Sequence, residues 1–139
     1  KISKSGKIDE PIGRHPSNRQ KQSVLSSGKE AITHYSLEAT YGNYSHLFLR
    51  LETGRTHQIR VHLSHLGFPI IGDPLYGRKR RFAKSTDSKL REVIEQFPRQ
   101  ALHASSLGFL HPSTNKKIEF TIELPKDIKN LEARLAQLS

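Results

Sequence analysis

The chain has 139 residues, one domain's worth, and carries 23 Lys and Arg against 13 Asp and Glu, a net charge of +10 with His neutral. That balance points to a polyanionic partner, with nucleic acid ahead of an acidic membrane surface. Cysteine is absent, which excludes disulfides and thiolate zinc sites and permits a reducing, cytoplasmic setting. No apolar run approaches the length of a membrane span, and no signal-peptide pattern is present, so no membrane partner is expected.

Residues 1–28 are rich in Lys, Arg, Ser, Gly and Pro without periodicity and read as surface loop or extended chain. Pro11 and Pro16 hold their predecessors extended, and Arg14, Arg19, Lys21 and Lys29 add a basic edge. Residues 31–40 alternate in part and predict a strand; Tyr41 to Asn43 supply a turn around Gly42. Residues 44–52 predict its partner, with Leu47, Leu49 and Leu51 on one face and His46, Phe48 and Arg50 on the other. The pair reads as an antiparallel hairpin.

A helix is predicted to start after Gly54 and stop at Gly67. Thr53 or Thr56 caps its first turn in this reading, and Gly67 takes the left-handed position after its end. Ile59, Leu63 and Leu66 recur at helical spacing and form its inward face. Arg60 sits beside that stripe. A guanidinium drawn into a low-dielectric site is costly unless a carboxylate meets it, so an acid is required there.

Pro69 to Ile71 predicts a short strand, and Asp73-Pro74 begins a turn. Arg78, Lys79, Arg80 and Arg81 form a cationic run suited to clamping phosphates. Residues 87–97 predict a helix with Leu90, Val93, Ile94 and Phe97 on one face, stopped by Pro98. A strand over 100–110, a turn over 111–115 and a partner strand over 117–124 follow. In that partner Ile118, Phe120, Ile122 and Leu124 share one side. Residues 126–138 close the chain as a helix with Ile128, Leu131, Leu135 and Leu138 inward. The class is therefore α+β: a mixed, mainly antiparallel sheet, built from two hairpins, with a central helix and flanking helices.

The chemistry is bounded by what is missing. His57, His62 and His65 do not converge on one ion at helical spacing, and no His-Glu-x-x-His occurs, so no metal site is expected. No Gly-x-Ser-x-Gly elbow and no glycine-rich phosphate loop is present, so neither a serine hydrolase nor a bound cofactor is implied.

Gly54-Arg55-Thr56-His57-Gln58-Ile59-Arg60-Val61-His62, followed by Gly72-Asp73-Pro74-Leu75-Tyr76-Gly77, resembles motif III of the RluA-type pseudouridine synthases. The resemblance extends to Glu10-Pro11-Ile12-Gly13-Arg14-His15-Pro16, to Gly28-Lys29-Glu30-Ala31, and to Gln100-Ala101-Leu102-His103-Ala104, His111-Pro112 and Leu124-Pro125. Within that family it is closest to the large-subunit ribosomal RNA pseudouridine synthase D group, on Asp9 to Ile12, Thr33 to Tyr35 and Leu49 to Thr53.

The resemblance implies isomerisation of uridine in ribosomal RNA, with no cofactor. The base is detached, turned and rejoined through carbon 5, after flipping into a pocket. An essential carboxylate starts the reaction as nucleophile or base. In the family, Arg60 pairs with that catalytic Asp, which lies in an upstream His-Arg-Leu-Asp-x-x-Thr-Ser-Gly signature; the chain contains no such run. The active-site Tyr of a Lys-x-Tyr-x-Ala segment is missing too.

Residues 1–139 are thus expected to be the C-terminal portion of one catalytic domain. Such a portion is inactive alone and partners the upstream half; it leaves apolar faces uncovered. Met is absent and the chain opens on Lys1, in keeping with that expectation. Arg60 is expected on the pocket floor, with Arg14, His15, Arg55, His57, Gln58, Arg78, Lys79, Arg80 and Arg81 as RNA contacts. A non-catalytic RNA-binding module on the same fold is the alternative, favoured by the missing Asp signature. A ribosome-associated structural protein, argued from charge alone, comes third.

Overall fold

The computed structural model describes residues 1–77, 82, 84, 86–110 and 117–139, with backbone alone for 106–110 and 117–120. In chain order the elements are β1 (Ser5–Asp9), β2 (Ile12–Arg14), β3 (Gln22–Val24), β4 (Ile32–Tyr41), β5 (Tyr44–Leu51), α1 (Gln58–His65), α2 (Ser88–Gln96), β6 (Ser106–Leu110), β7 (Lys117–Thr121) and α3 (Lys126–Leu138). The class is α+β, as the sequence pattern predicts. Among the described residues every strand pairing is antiparallel: a β1-β4-β5 sheet and the two ribbons β2-β3 and β6-β7.

The β4-β5 hairpin turns through Gly42 and Asn43, with Tyr41 opposite Tyr44 and Gly42 at φ 59. A bulge between Leu37 and Ala39 shifts its register. β1 runs along the other edge of β4, from Ser5 opposite Ser36 to Asp9 opposite Ile32. The basic N-terminal stretch is therefore partly strand and not only loop. Within β1 only Ile8 is both apolar and buried, so the sequence carries no apolar alternation to mark it, and its order comes from the edge that β4 offers.

Helix α1 ends as expected. Gly67 takes φ 89, its N–H donates to the Ser64 carbonyl, and the Phe68 N–H reaches back to Leu63. Its inward face differs from the predicted stripe. Gln58, Val61, His62 and Leu63 are buried, whereas Leu66 is 39% exposed. Polar side chains displace aliphatic ones because β4 presents hydrogen-bonding partners to them.

Residues 69–71 form no strand; they lead into a turn at Gly72 (φ 79). A Cβ at Gly72 would lie 2.0 Å from the Arg99 carbonyl oxygen, so the backbone there admits no side chain. Only the second half of the predicted 100–110 strand pairs, as β6, and β7 ends at Thr121 with Ile122 60% exposed. The predicted turn at 111–115 and the cationic run Arg78, Lys79, Arg80 and Arg81 lie outside the described residues.

Among the described residues two apolar clusters form the core. Ile12, Ala31, Val61 and Tyr76 pack between α1 and the N-terminal strands, joined by Val24 and Leu75. Leu90 and Ile94 of α2 meet Leu131 and Leu135 of α3, and Tyr41 and Tyr44 bring the hairpin tip onto them. Asp87 caps α2 through the Lys89 and Leu90 N–H groups. Arg99 grips Asp127 at the start of α3 through Nε and Nη2, each at 2.9 Å, and His46 of β5 pairs with Glu132.

An apolar groove of about 2010 Å³ opens between β5 and the helices, lined by Leu47, Leu49, Leu51, Leu63, Leu90 and Leu131 among others. Phe48 is 49% exposed and Leu51 45%, so apolar side chains do stand in solvent. Among the described residues no helix is long and apolar enough to cross a membrane. Replacing the fully buried Ile94 with Ala is expected to cost about 2–5 kcal/mol. The check is a lowered urea midpoint with the slope of the transition unchanged.

Candidate nucleic-acid active site

The start of α1 is held by side chains rather than by an ordinary cap. His57 occupies the N-cap with left-handed backbone, φ 55 and ψ 23, and no side chain caps the helix. Neither Thr53 nor Thr56 plays the predicted capping part. The Thr53 hydroxyl instead accepts the Ile32 N–H at 2.9 Å and donates to Gln58 Oε1 at 2.7 Å. A left-handed non-glycine residue costs of order 1 kcal/mol and persists only where its surroundings over-determine it.

Gln58 supplies part of that determination. Its Oε1 also accepts the Arg55 N–H at 3.0 Å, and its Nε2 donates to the Ile32 carbonyl and the Thr33 hydroxyl, both at 3.0 Å. The side chain is buried and its amide is spent within the protein, so Gln58 is not the RNA contact the sequence suggested. It bolts α1 to β4. Leaving such an amide unpaired would be costly, which explains why a polar residue lies on the inward face.

His62 does the same from the next turn. Its Nε2 is 2.8 Å from the Glu10 carbonyl oxygen, which can only accept, so Nε2 carries the proton. Its Nδ1, 2.8 Å from the Thr33 hydroxyl, accepts. The ring is fully buried and neutral, and burial lowers its pKa below the ordinary histidine value.

Arg60, His57 and Ser64 share a different stripe of α1, at i, i+3 and i+7, and Tyr76 lies along it. The Tyr76 hydroxyl accepts the Gln22 N–H at 2.8 Å and meets His57 Nδ1 at 2.7 Å. Ser64 donates its hydroxyl to the Tyr76 carbonyl at 3.2 Å. The Arg60 guanidinium stands 5.0 Å from the Tyr76 ring centroid. Burial, and then the Arg60 charge, lower the His57 pKa and keep that ring neutral.

The acid that meets Arg60 lies within the chain, thirteen residues on. Arg60 Nε donates to Asp73 Oδ2 and Nη2 to Oδ1, each at 2.8 Å. The sequence reading expects a carboxylate from outside the chain at Arg60; the structure adds Asp73 as a partner on its Nε edge. The sequence marks Asp73 only as a turn former. It is one, since Oδ1 also accepts the Leu75 and Tyr76 N–H groups at 3.0 and 3.1 Å. The left-handed Gly72 swings this turn back beneath α1.

The Asp73 side chain is 0% exposed and that of Arg60 12%. Burial alone would raise the Asp73 pKa; the Arg60 hydrogen bonds and the two backbone N–H groups outweigh it and hold the carboxyl below its ordinary value. The Asp73 hydrogen bonds in turn raise the Arg60 pKa. Among the described residues Asp73 takes all the guanidinium's hydrogen bonds, so Nη1 has no protein acceptor, and it is not among the atoms sealed from solvent.

Arg60 lines neither the apolar groove nor a smaller cleft of about 300 Å³ formed by His15, Lys21, Gln22, Tyr76, His65 and their neighbours. Neither of these two cavities therefore has Arg60 on its floor. Of the other predicted contacts, Arg14 is exposed at the end of β2. His15 shapes its own turn by accepting the Ser17 and Asn18 N–H groups on Nδ1. Arg55 is exposed and donates Nε to the Glu30 carbonyl at 2.8 Å. Lys21, 6.0 Å from the Tyr76 ring, lines the smaller cleft with His15, and its place in the basic N-terminal stretch is the sequence signal for it.

Comparison with known proteins bears on this site. Residues 1–65 match the family model described as RNA pseudouridylate synthase. Ribosomal large subunit pseudouridine synthase D of Pseudomonas aeruginosa is 44% identical over 136 residues, 98% of this chain and 42% of that protein. Its counterpart in Vibrio cholerae is 46% identical over 132 residues, 95% of this chain and 41% of that protein. The chain thus spans about two fifths of the length of these relatives.

Two human structures share the fold. RNA Pseudouridylate Synthase Domain Containing 4 has a TM-score of 0.68 at 23% identity, covering 95% of this chain and 56% of that one. RNA Pseudouridylate Synthase Domain Containing 1 has a TM-score of 0.65 at 24% identity, covering 96% and 60%.

The buried imidazole sets a pH dependence. The unfolded chain takes up the His62 proton near the ordinary value of 6.5, while the folded protein resists it. Stability is therefore full above that pH and falls below it. The unfolding free energy is expected to drop between about pH 7 and pH 5.5, by at most about 1.4 kcal/mol per pH unit for this one proton, and the urea midpoint to fall with it. His62→Gln is expected to flatten that slope, and a midpoint constant over the same range would contradict the buried neutral ring.

Proposed function

The chain belongs to the RNA pseudouridylate synthase family, and from that premise we propose that it supplies the Arg60-bearing part of a site converting uridine to pseudouridine in large-subunit ribosomal RNA. The reacting carboxylate comes from a segment outside these residues, since no His-Arg-Leu-Asp run occurs among them. That carboxylate acts at the flipped uridine as nucleophile or base. Arg60 orients it by hydrogen bonding.

One observation carries the reading. Arg60 is nearly buried and firmly anchored, yet keeps Nη1 without a protein acceptor among the described residues. A guanidinium presents five N–H donors in a rigid fork, and Asp73 uses the Nε edge. The remaining donors can take a second carboxylate. The uncovered apolar groove beside β5 suits the docking of the upstream half, which covers the sheet and completes the pocket. The net charge of +10, with Arg14 and Arg55 exposed and Lys21 half-buried beside Tyr76, favours contact with the phosphates that flank the flipped base. A soluble, cytoplasmic setting accords with a ribosomal RNA substrate.

The alternative, an RNA-binding module without catalysis, is favoured by the missing acid signature. Tritium release from RNA containing 5-tritiated uridine separates the two, because carbon 5 loses its hydrogen only on isomerisation. The full-length gene product is expected to release tritium, and the 139-residue chain alone is not. Arg60→Ala in the full-length protein is expected to lower turnover on the order of 10²-fold or more. RNA binding without any release would establish the alternative, and undiminished turnover by Arg60→Ala would remove Arg60 from the site.

A further inference from the structure

Asp73 is a carboxylate with no exposure and with acceptor bonds from four directions. Two come from Arg60 and two from its own turn, at Leu75 and Tyr76. The backbone bonds hold it in place independently of Arg60, so the acid is set first and the guanidinium docks onto it. On the ring side, Tyr76 limits the other motion of the guanidinium. The Tyr76 ring is itself fixed by His57 and Gln22.

We propose that Asp73 is a positioning residue of the isomerase site: it fixes the plane of the Arg60 guanidinium and cancels its charge, so that Arg60 meets the reacting carboxylate as an oriented hydrogen-bond donor within a neutral pair. This rests on the reading of Arg60 given above and extends it to the acid behind it.

The electrostatic consequence is specific. A lone Arg beside an Asp lowers the carboxyl pKa by roughly one to three pH units. Such an acid is well ionised but correspondingly weak as nucleophile or base. With Asp73 in contact, the Arg60 charge is already balanced, so the reacting carboxylate is aligned without being strongly over-stabilised. A purely structural ion pair would not need this arrangement, because a buried pair is often replaceable by apolar groups without loss of stability. The ionisable groups facing the pair are His57 at the helix start and Tyr76 on the returning turn, with Lys21 beyond the tyrosine ring. The Asp73 charge raises the pKa of both His57 and Tyr76, so its removal lowers both, which leaves His57 neutral as in the wild type.

Asp73→Asn tests this with little disturbance. The Asn carbonyl oxygen can still accept from Leu75, Tyr76 and Arg60 Nη2, while the Nε acceptor and the charge are removed. In the full-length gene product, tritium release is followed across pH for wild type, Asp73→Asn, Asp73→Glu and Arg60→Ala. Asp73→Asn is expected to lose on the order of 10²-fold in kcat, with KM for RNA changed less than about threefold, since no phosphate contact is touched. Its acid limb is expected to move to lower pH, because Arg60 becomes an unbalanced cation beside the reacting carboxylate. Asp73→Glu restores the charge and is expected to return the acid limb to the wild-type position even where kcat stays low.

Wild-type kcat and acid limb in Asp73→Asn, with Arg60→Ala inactive, overturn this inference and leave the isomerase reading standing. Undiminished turnover by Arg60→Ala overturns that reading itself. The clamp is also tested without any variant, by the exchange rate of the Arg60 Nε–H in the nuclear magnetic resonance spectrum of the wild-type protein. Slow exchange is expected, and exchange as fast as that of the exposed Arg14 overturns the proposal whether or not Asp73→Asn folds.

Discussion

The bidentate contact between Arg60 and Asp73 is what the candidate site depends on. Two charges taken out of water need close geometry and further hydrogen bonds to offset their desolvation. Here the two N–H donors of Arg60 and the Leu75 and Tyr76 amides supply them. The contact has structural preconditions on both sides. Gly67 must end α1 in left-handed conformation so that the chain turns back, and Gly72 must turn it again against the Arg99 carbonyl. Tyr76 then lies along the His57, Arg60 and Ser64 stripe and links the turn to β3 through Gln22. Loss of any one of these would leave a charged group half out of water with no fixed direction.

The opposite side of α1 is held by a polar core. Gln58 and His62 reach Ile32, Thr33 and Glu10, so the helix is pinned to β4 and to the chain leaving β1 by hydrogen bonds as well as by Val61. Such networks are directional, unlike apolar contact, and a network with every member paired specifies one rotation of a short helix. That rotation is what turns Arg60 toward Asp73. The strained His57 backbone is retained because Gln58 on one side and Tyr76 on the other define it.

A second feature of the molecule is the division of its apolar packing. One cluster supports α1 and the N-terminal strands, and the other joins α2 to α3 beneath the hairpin tip. Between them β5 turns Leu47, Leu49 and Leu51 toward an open groove. A sheet face of this composition stands in water only at a cost.

What the amino-acid order determined by itself was the local, periodic part. The hairpin, α2 and α3 stand close to their expected bounds, because alternation and helical spacing are carried by neighbouring residues and the Gly42, Asp87 and Pro98 signals punctuate them. The Gly54 to Tyr76 wording identified the family for the same reason: a motif is legible as a string. Tertiary structure alone decided which carboxylate faces Arg60, that Gln58 and His62 rather than Leu66 turn inward, and that β1, β2 and β3 form at all. Each of these rests on contacts between residues far apart in the chain. Asp73 carries a turn signal whether or not a guanidinium docks on it, and a three-residue strand has no period to read. The pairing energy that selects them appears only once the distant partner is in place.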